Sequence, residues 1–119
     1  MEDIKVKLSE DFGVEIIKLA DNLEKLKVNS AIISQILRSG TSIGANIYES
    51  TCAESKLDFI HKLKISEKEA CETQYWLKIL YRSKKLDEKY FNDLMEKCST
   101  IKKIISSIIT STKRNLQSQ

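Results

Sequence analysis

Apolar side chains recur along this chain at alternating steps of three and four residues, the spacing that places them on one side of an α-helix. The first such series comprises Phe12, Ile16, Leu19, Leu23 and Leu26. Ser9 stands just before this series and can cap a helix, whereas the residues at 28–30 interrupt the pattern. We therefore predict a first helix over about residues 10–27.

The second half of the chain contains two longer series of the same kind. One of them has small residues at its centre and comprises Phe59, Leu63, Ser66, Ala70, Thr73, Leu77 and Leu80. The other comprises Phe91, Leu94, Cys98, Ile101, Ile105, Ile108 and Thr112. Because Ser55 and Asp87 can cap the segments that follow them, we predict helices over about 56–83 and 88–114.

Between these regions lies a segment with very little charge, which we predict to be a helix over about 31–53, capped by Asn29 or Ser30. Arg38 and Glu49 are its only charged residues. A helix without a solvated face is usually surrounded by protein, so we expect a second subunit to cover part of it. The alternative is a neutral surface rich in Ser and Thr.

Gly40 and Gly44 lie one helical turn apart in "RSGTSIGANIYES". A Walker phosphate loop would need a lysine after the second glycine, and a linker would leave the isoleucines exposed. In a helix, the glycines let a second backbone approach closely, and we expect the small centre of the third helix, Ser66 and Ala70, to face them. The predicted packing and oligomer-interface residues are Arg38, Gly40, Ile43, Gly44 and Ile47.

Composition supports an all-α fold, since the 119 residues include no proline and only three glycines. One domain of this length can bury its own core. The short connections between the predicted helices favour an antiparallel, up-down-up-down four-helix bundle. The net charge of +3, from 20 basic and 17 acidic residues, does not by itself indicate a nucleic-acid partner.

The N-terminus is charged throughout and shows no secretory signal, and no 18-residue window is free of charge. We therefore expect a cytoplasmic protein without a membrane-bound state. Cys52, Cys71 and Cys98 are odd in number and show no CxxC spacing. We interpret all three as small, buried apolar residues.

Candidate catalytic groups are scarce. His61 is the only histidine, and Cys71 lies ten residues away on the same predicted helix, about 15 Å along its axis. The "DFIH" at 58–61 resembles the Glu-x-x-His motif of di-iron bundles, but such a site needs a second histidine. The sequence therefore predicts no catalytic residue, metal site or cofactor.

Three glutamates of the third predicted helix, Glu67, Glu69 and Glu72, have lysines one turn away. We interpret them as members of surface ion pairs rather than as metal ligands. Arg38 and Glu72 are polar residues within apolar segments, so we also expect them to pair with each other or with helix ends.

A basic stripe follows the third predicted helix at 100° per residue, and His61 and Cys71 lie within it. Lysine and arginine can bind phosphates, and a tyrosine ring can stack on an unpaired base. The alternative is an ordinary solvated lysine face. The predicted nucleic-acid-binding residues are Lys64, Lys68, Tyr75, Lys78, Arg82 and Lys85.

Two linked motifs, "LRSGTSIGANIYES" and "SKLDFIHKLKISEKEACETQYWLKIL", resemble the bacterial family called four helix bundle protein or 23S rRNA intervening sequence protein. The dense match runs from about Ile33 to Leu80. The chain departs from the family pattern at 48–50, where Tyr-Glu-Ser replaces Ala-Glu followed by Ala or Gly.

The resemblance implies a homopentamer of antiparallel bundles around a central channel and a non-enzymatic, nucleic-acid-binding role. Related genes lie within rRNA intervening sequences, and a related pentamer is an accessory protein of diversity-generating retroelements. We therefore expect self-association and RNA or DNA as partner. The alternative is a protein-binding adaptor or structural ring whose protein partner the sequence does not identify.

Overall fold

The structure, a computed structural model, describes residues 2–117 and contains four helices. They are α1 (Ile4–Lys25), α2 (Ser30–Ser50), α3 (Lys56–Arg82) and α4 (Glu88–Gln117). Each helix packs against the next one in the chain, and α1 meets α4 along a less extensive contact. The result is an antiparallel four-helix bundle of 53 × 27 × 22 Å. The predicted all-α, up-down-up-down class is confirmed.

The core lies between the four helices and contains nearly all of the predicted apolar positions. On α3, six of the seven predicted residues are buried, and Phe59 is half-buried. On α4, Ile109 is buried where Ile108 was expected. Leu26 is 63% exposed because α1 ends at the preceding residue, so its assignment to the core was wrong.

The first helix begins six residues earlier than predicted. Asp3 is the N-cap, and its carboxylate accepts a hydrogen bond from the Lys5 backbone N–H over 3.2 Å. Ser9 is not a cap but a buried residue whose hydroxyl donates to the Lys5 carbonyl over 2.8 Å. Because a serine occupies this core position, the apolar pattern is interrupted there and did not indicate the first turns of α1.

Gly40 and Gly44 pack against α1, so the prediction that they face α3 was wrong. A Cβ atom added at Gly40 would lie 2.8 Å from two side-chain carbons of Ile16. One added at Gly44 would lie 3.1 Å from the Ser9 carbonyl oxygen. The glycines therefore bring α2 and α1 together, and the smallness of Ser9 serves the same contact.

The small residues of α3 contact α2 through hydroxyl groups. The buried Ser66 hydroxyl donates to the Ile43 carbonyl over 2.8 Å. The buried Thr73 hydroxyl donates to the Ser39 hydroxyl over 3.0 Å. These bonds link two helices through groups that would be costly to bury unpaired.

Two helices end with a lysine in the left-handed backbone region, where glycine is the usual residue. Lys27 has φ 58° after α1, and Lys84 has φ 64° after α3. The following amides, those of Val28 and Lys85, bond carbonyls in the last turns of these helices over 3.0 and 2.9 Å. The caps Asn29, Ser55 and Asp87 accept hydrogen bonds as predicted.

The three cysteines differ in environment. Only Cys98 is buried, and its thiol donates to the Ala70 carbonyl over 3.5 Å. Burial raises the pKa of the Cys98 thiol from 9.0 to about 12. Cys52 and Cys71 are exposed, so the prediction that they are buried was wrong.

Alkylation of the native protein should therefore modify Cys52 and Cys71 and spare Cys98. Because the Cys98 thiol stays protonated until the pH approaches its pKa of about 12, raising the pH from 7 to 9 should not expose it to the reagent. Peptide mass spectrometry after iodoacetamide treatment measures each site, with a denatured sample as the control. Equal modification of all three native cysteines would contradict this assignment.

Candidate nucleic-acid interface

The predicted stripe forms the outward face of α3, on the side of the helix away from the core. Its exposed residues are His61, Lys64, Lys68, Cys71, Tyr75, Lys78 and Arg82. Lys85 is exposed as well, but it lies beyond the end of α3, in the connection to α4. We call Lys64, Lys68, Tyr75, Lys78 and Arg82 the basic face.

Two glutamates beside the basic face, Glu69 and Glu72, are turned towards α2. Arg38 of α2 pairs with Glu69 over 3.0 Å through Nη1 and with Glu72 through Nη2. The predicted pairing of Arg38 with Glu72 is confirmed. Glu69 and Glu72 pair across to α2 rather than with the lysines of their own helix, so that part of the interpretation was wrong.

This arrangement leaves the cations of the basic face without carboxylate partners, whereas Lys62, elsewhere on α3, pairs with Glu49 of α2 over 3.2 Å. Among residues 2–117, none of Lys68, Lys78 and Arg82 takes part in an ion pair. From Lys64 to Arg82 the face extends over about 27 Å of helix. Its positive charge is therefore available to an anionic partner.

Tyr75 stands in the middle of the basic face and is 55% exposed. Its ring meets the half-buried Trp76 edge to face, with centroids 5.1 Å apart. The Trp76 indole N–H in turn donates to a Glu72 carboxylate oxygen over 3.3 Å. Tyr75 is thus supported by a fixed neighbour while it presents ring surface to solvent.

Sequence reasoning missed Lys113, a residue of α4 that joins the basic face. The close approach of Lys64 lowers the pKa of Lys113, although the nearby Glu67 acts in the opposite direction. Both side chains are exposed. The signal was available, because antiparallel neighbours place the start of α3 beside the end of α4.

The residues predicted for packing and subunit contact on α2 lie mostly inside the chain. Gly40, Ile43 and Ile47 are buried, and Gly44 packs on α1. Arg38 is exposed, but its guanidinium is held by two carboxylates. The side chains that α2 presents to solvent are mostly uncharged and include Ala31, Ser34, Gln35, Ala45 and Tyr48.

Within residues 2–117, no group of three or more His, Cys, Asp or Glu side chains is placed to hold a metal ion. None of the helices in that range combines the length and apolarity needed to cross a bilayer.

Fold and surface together define an α-helical bundle with a cationic outer face. The model of the 23S rRNA-intervening sequence protein family matches residues 2–107, and the chain belongs to this family. A crystal structure of a protein of unknown function from the S23 ribosomal protein family of Bacteroides thetaiotaomicron is 41% identical, with a TM-score of 0.86. The match covers 88% of this chain and 97% of that one. No curated protein matches the chain.

Proposed function

We propose that this protein is a non-enzymatic, nucleic-acid-binding accessory protein of the cytoplasm that acts as a homopentamer. The observation that carries the proposal is the basic face of α3, whose cations lack carboxylate partners among residues 2–117. Such cations replace the counterions of a phosphate backbone, which is the main source of affinity for RNA or DNA.

Tyr75 adds a second kind of contact to the basic face. An exposed aromatic ring among cations can stack on an unpaired base, and this interaction tolerates any sequence. The combination favours a single strand or an unpaired loop over a regular duplex. Specificity for one sequence is not expected from phosphate contacts and stacking alone.

The assembly part of the proposal rests on α2 and on the family resemblance. The mostly uncharged outer side of α2 can be covered by another copy without burying many unpaired charges. Five copies would present five basic faces, so a long nucleic acid could bind several of them and gain affinity by multivalency.

A protein-binding adaptor is the second candidate, and exposed apolar side chains favour it. Ile4, Tyr48 and Leu57 are all exposed, at the start of α1, the end of α2 and the start of α3. These three positions lie at the same end of an antiparallel bundle. Large exposed apolar groups often mark a protein contact.

Thiol footprinting tests the proposal with a control built into the chain. Cys71 lies within the stripe on α3, whereas Cys52 is exposed outside it, between α2 and α3. A single-stranded RNA or DNA bound to the basic face should slow the alkylation of Cys71 several-fold and leave Cys52 unchanged. The reaction is followed by peptide mass spectrometry at low and at high salt.

Two results would decide against nucleic-acid binding at this face. If binding is detected but Cys71 reacts as fast as in the free protein, the contact lies elsewhere. If RNA, single-stranded DNA and duplex DNA all fail to bind at low salt, the adaptor is favoured. Light scattering on the same sample measures the assembly independently of binding.

A further inference from the structure

The second half of α4 carries an unusual group of polar side chains. A shallow recess, largely open to solvent, runs along its outer side between the exposed side chains of Lys103, Ser106, Ser107, Thr110, Ser111 and Arg114. No acidic residue follows Glu96 in the described part of α4. The recess therefore has a cation at each end, hydroxyl groups between them and no carboxylate in its lining.

The four hydroxyls of the recess have no hydrogen-bond partner among residues 2–117. Elsewhere on the same helix, Thr100 and Thr112 donate to the carbonyls one turn earlier, over 3.0 and 2.7 Å. Lys103 and Arg114 are also without an ion pair in that range. Donors at both ends and in the middle of the recess are thus available to a ligand.

The contacts between α3 and α4 place the recess beside the basic face. Lys102 donates to the Gln74 side chain over 3.1 Å, so Lys103 lies at the level of Tyr75. At the other end, Lys113 approaches Lys64 closely enough for the two ammonium groups to perturb each other. The two cationic surfaces therefore run side by side and meet at Lys64 and Lys113.

We propose that the recess on α4 binds the sugar-phosphate backbone of the nucleic acid that contacts the basic face. This inference rests on the proposed function and extends it to a second helix. Arg114 and Lys103 would contact phosphates, and the hydroxyls would donate to phosphate oxygens between them, the usual partners of such groups. A phosphate between Lys64 and Lys113 would also relieve the repulsion of their charges.

Charge removal on α4 is the first test, with single-stranded RNA and single-stranded DNA as probes. The triple variant Lys103→Gln, Lys113→Gln and Arg114→Gln should bind about fivefold more weakly or worse. Its salt slope, the steepness with which the logarithm of the affinity falls with the logarithm of the salt concentration, should decrease by about 2. The control Lys18→Gln, Lys25→Gln and Lys27→Gln removes the same charge from α1 and its C-terminal turn, on the side of the bundle away from α3. It should change binding less than twofold.

Thiol footprinting distinguishes direct contact of the nucleic acid with the recess from a general effect of charge loss on binding. In a protein with Cys52→Ser and Cys71→Ser, the substitution Ser107→Cys places a thiol in the middle of the recess. Its alkylation should slow several-fold with RNA or DNA bound. Inorganic polyphosphate serves as a third probe, and protection by polyphosphate alone would overturn the assignment to nucleic acid.

The outcomes distinguish this inference from the proposed function. If the unmodified protein binds with Cys71 protected, but the α4 variant binds equally well and the Ser107→Cys thiol stays reactive, only the inference is overturned. If the unmodified protein binds neither strand, the proposed function is overturned and the inference with it. Weaker binding of the α4 variant together with protection of the new thiol would support both.

Discussion

Gly40→Ala should destabilise this protein, although alanine is normally favoured over glycine inside a helix. The added methyl group would lie 2.8 Å from carbons of Ile16, a fully buried, β-branched side chain with little freedom to move. Overpacking of this kind costs about 1–3 kcal/mol, which lowers Tm by about 5–15 °C. The larger change Gly40→Leu with Gly44→Leu should prevent native packing of α1 on α2.

Gly13→Ala is the matched control, because the same methyl group is added at another helical glycine. Apart from the neighbouring residues and the local backbone of its own helix, no atom lies within 4 Å of the Cβ position there. We expect it to stabilise the protein by about 0.5–1 kcal/mol through helix propensity. Thermal unfolding of the two alanine variants followed by circular dichroism makes the comparison, and a Gly40→Ala protein as stable as the parent would disprove the close contact.

Removing the charge of the basic face should have the largest effect on nucleic-acid binding. The variant Lys64→Gln, Lys68→Gln, Lys78→Gln and Arg82→Gln loses four cations per chain, and each phosphate contact contributes about 0.7–0.9 to the salt slope. We expect affinity at low salt to fall at least tenfold and the slope to fall by about 3. Fluorescence anisotropy at several salt concentrations measures both quantities.

The fold and the assembly should survive these four substitutions. All four side chains are exposed, and such changes usually alter stability by no more than about 0.5 kcal/mol each. The control Lys18→Gln, Lys25→Gln, Lys27→Gln and Lys89→Gln removes equal charge from exposed sites outside the basic face. If the variant stays assembled and binds like its parent, the basic face is an ordinary solvated surface. If the variant dissociates, the basic face is a subunit contact.

The sequence predicted the helices well because their cores repeat regularly, and it failed where a polar residue occupies a core position. Ser9 was predicted to be an N-cap, but it is buried. Its small side chain lies where Gly44 of α2 packs on the Ser9 backbone. The reason for this burial lies in another helix and cannot be read from the local pattern. Similarly, Lys27 and Lys84 adopt the left-handed conformation just after α1 and α3, at positions where a glycine would have indicated the end of the helix.

The basic face could be predicted from the helical periodicity of α3 alone, because that periodicity shows which residues share the side of the helix opposite its apolar positions. The pattern within a single helix could not supply relations between helices, although the predicted antiparallel topology did place the start of α3 beside the end of α4. Lys113 joins Lys64 only through the packing of α4 on α3, and Glu69 reaches Arg38 only through the packing of α2 on α3. The partners of Gly40 were assigned to the wrong neighbour for the same reason.

The buried hydroxyl bonds between α2 and α3 restrict how these two helices can slide past each other. A seam of leucine and isoleucine repeats almost every turn, so an apolar interface alone would tolerate a shift of one turn, about 5.4 Å. Such a shift would separate Ser66 from the Ile43 carbonyl and Thr73 from Ser39. The Ser66 hydroxyl has no other hydrogen-bond partner among residues 2–117, and leaving it unpaired in the core would cost about 1–3 kcal/mol. The Thr73 hydroxyl would keep its bond of 2.8 Å to the Glu69 carbonyl of its own helix. The single bond from Ser66 thus favours one alignment over others that hydrocarbon packing would accept.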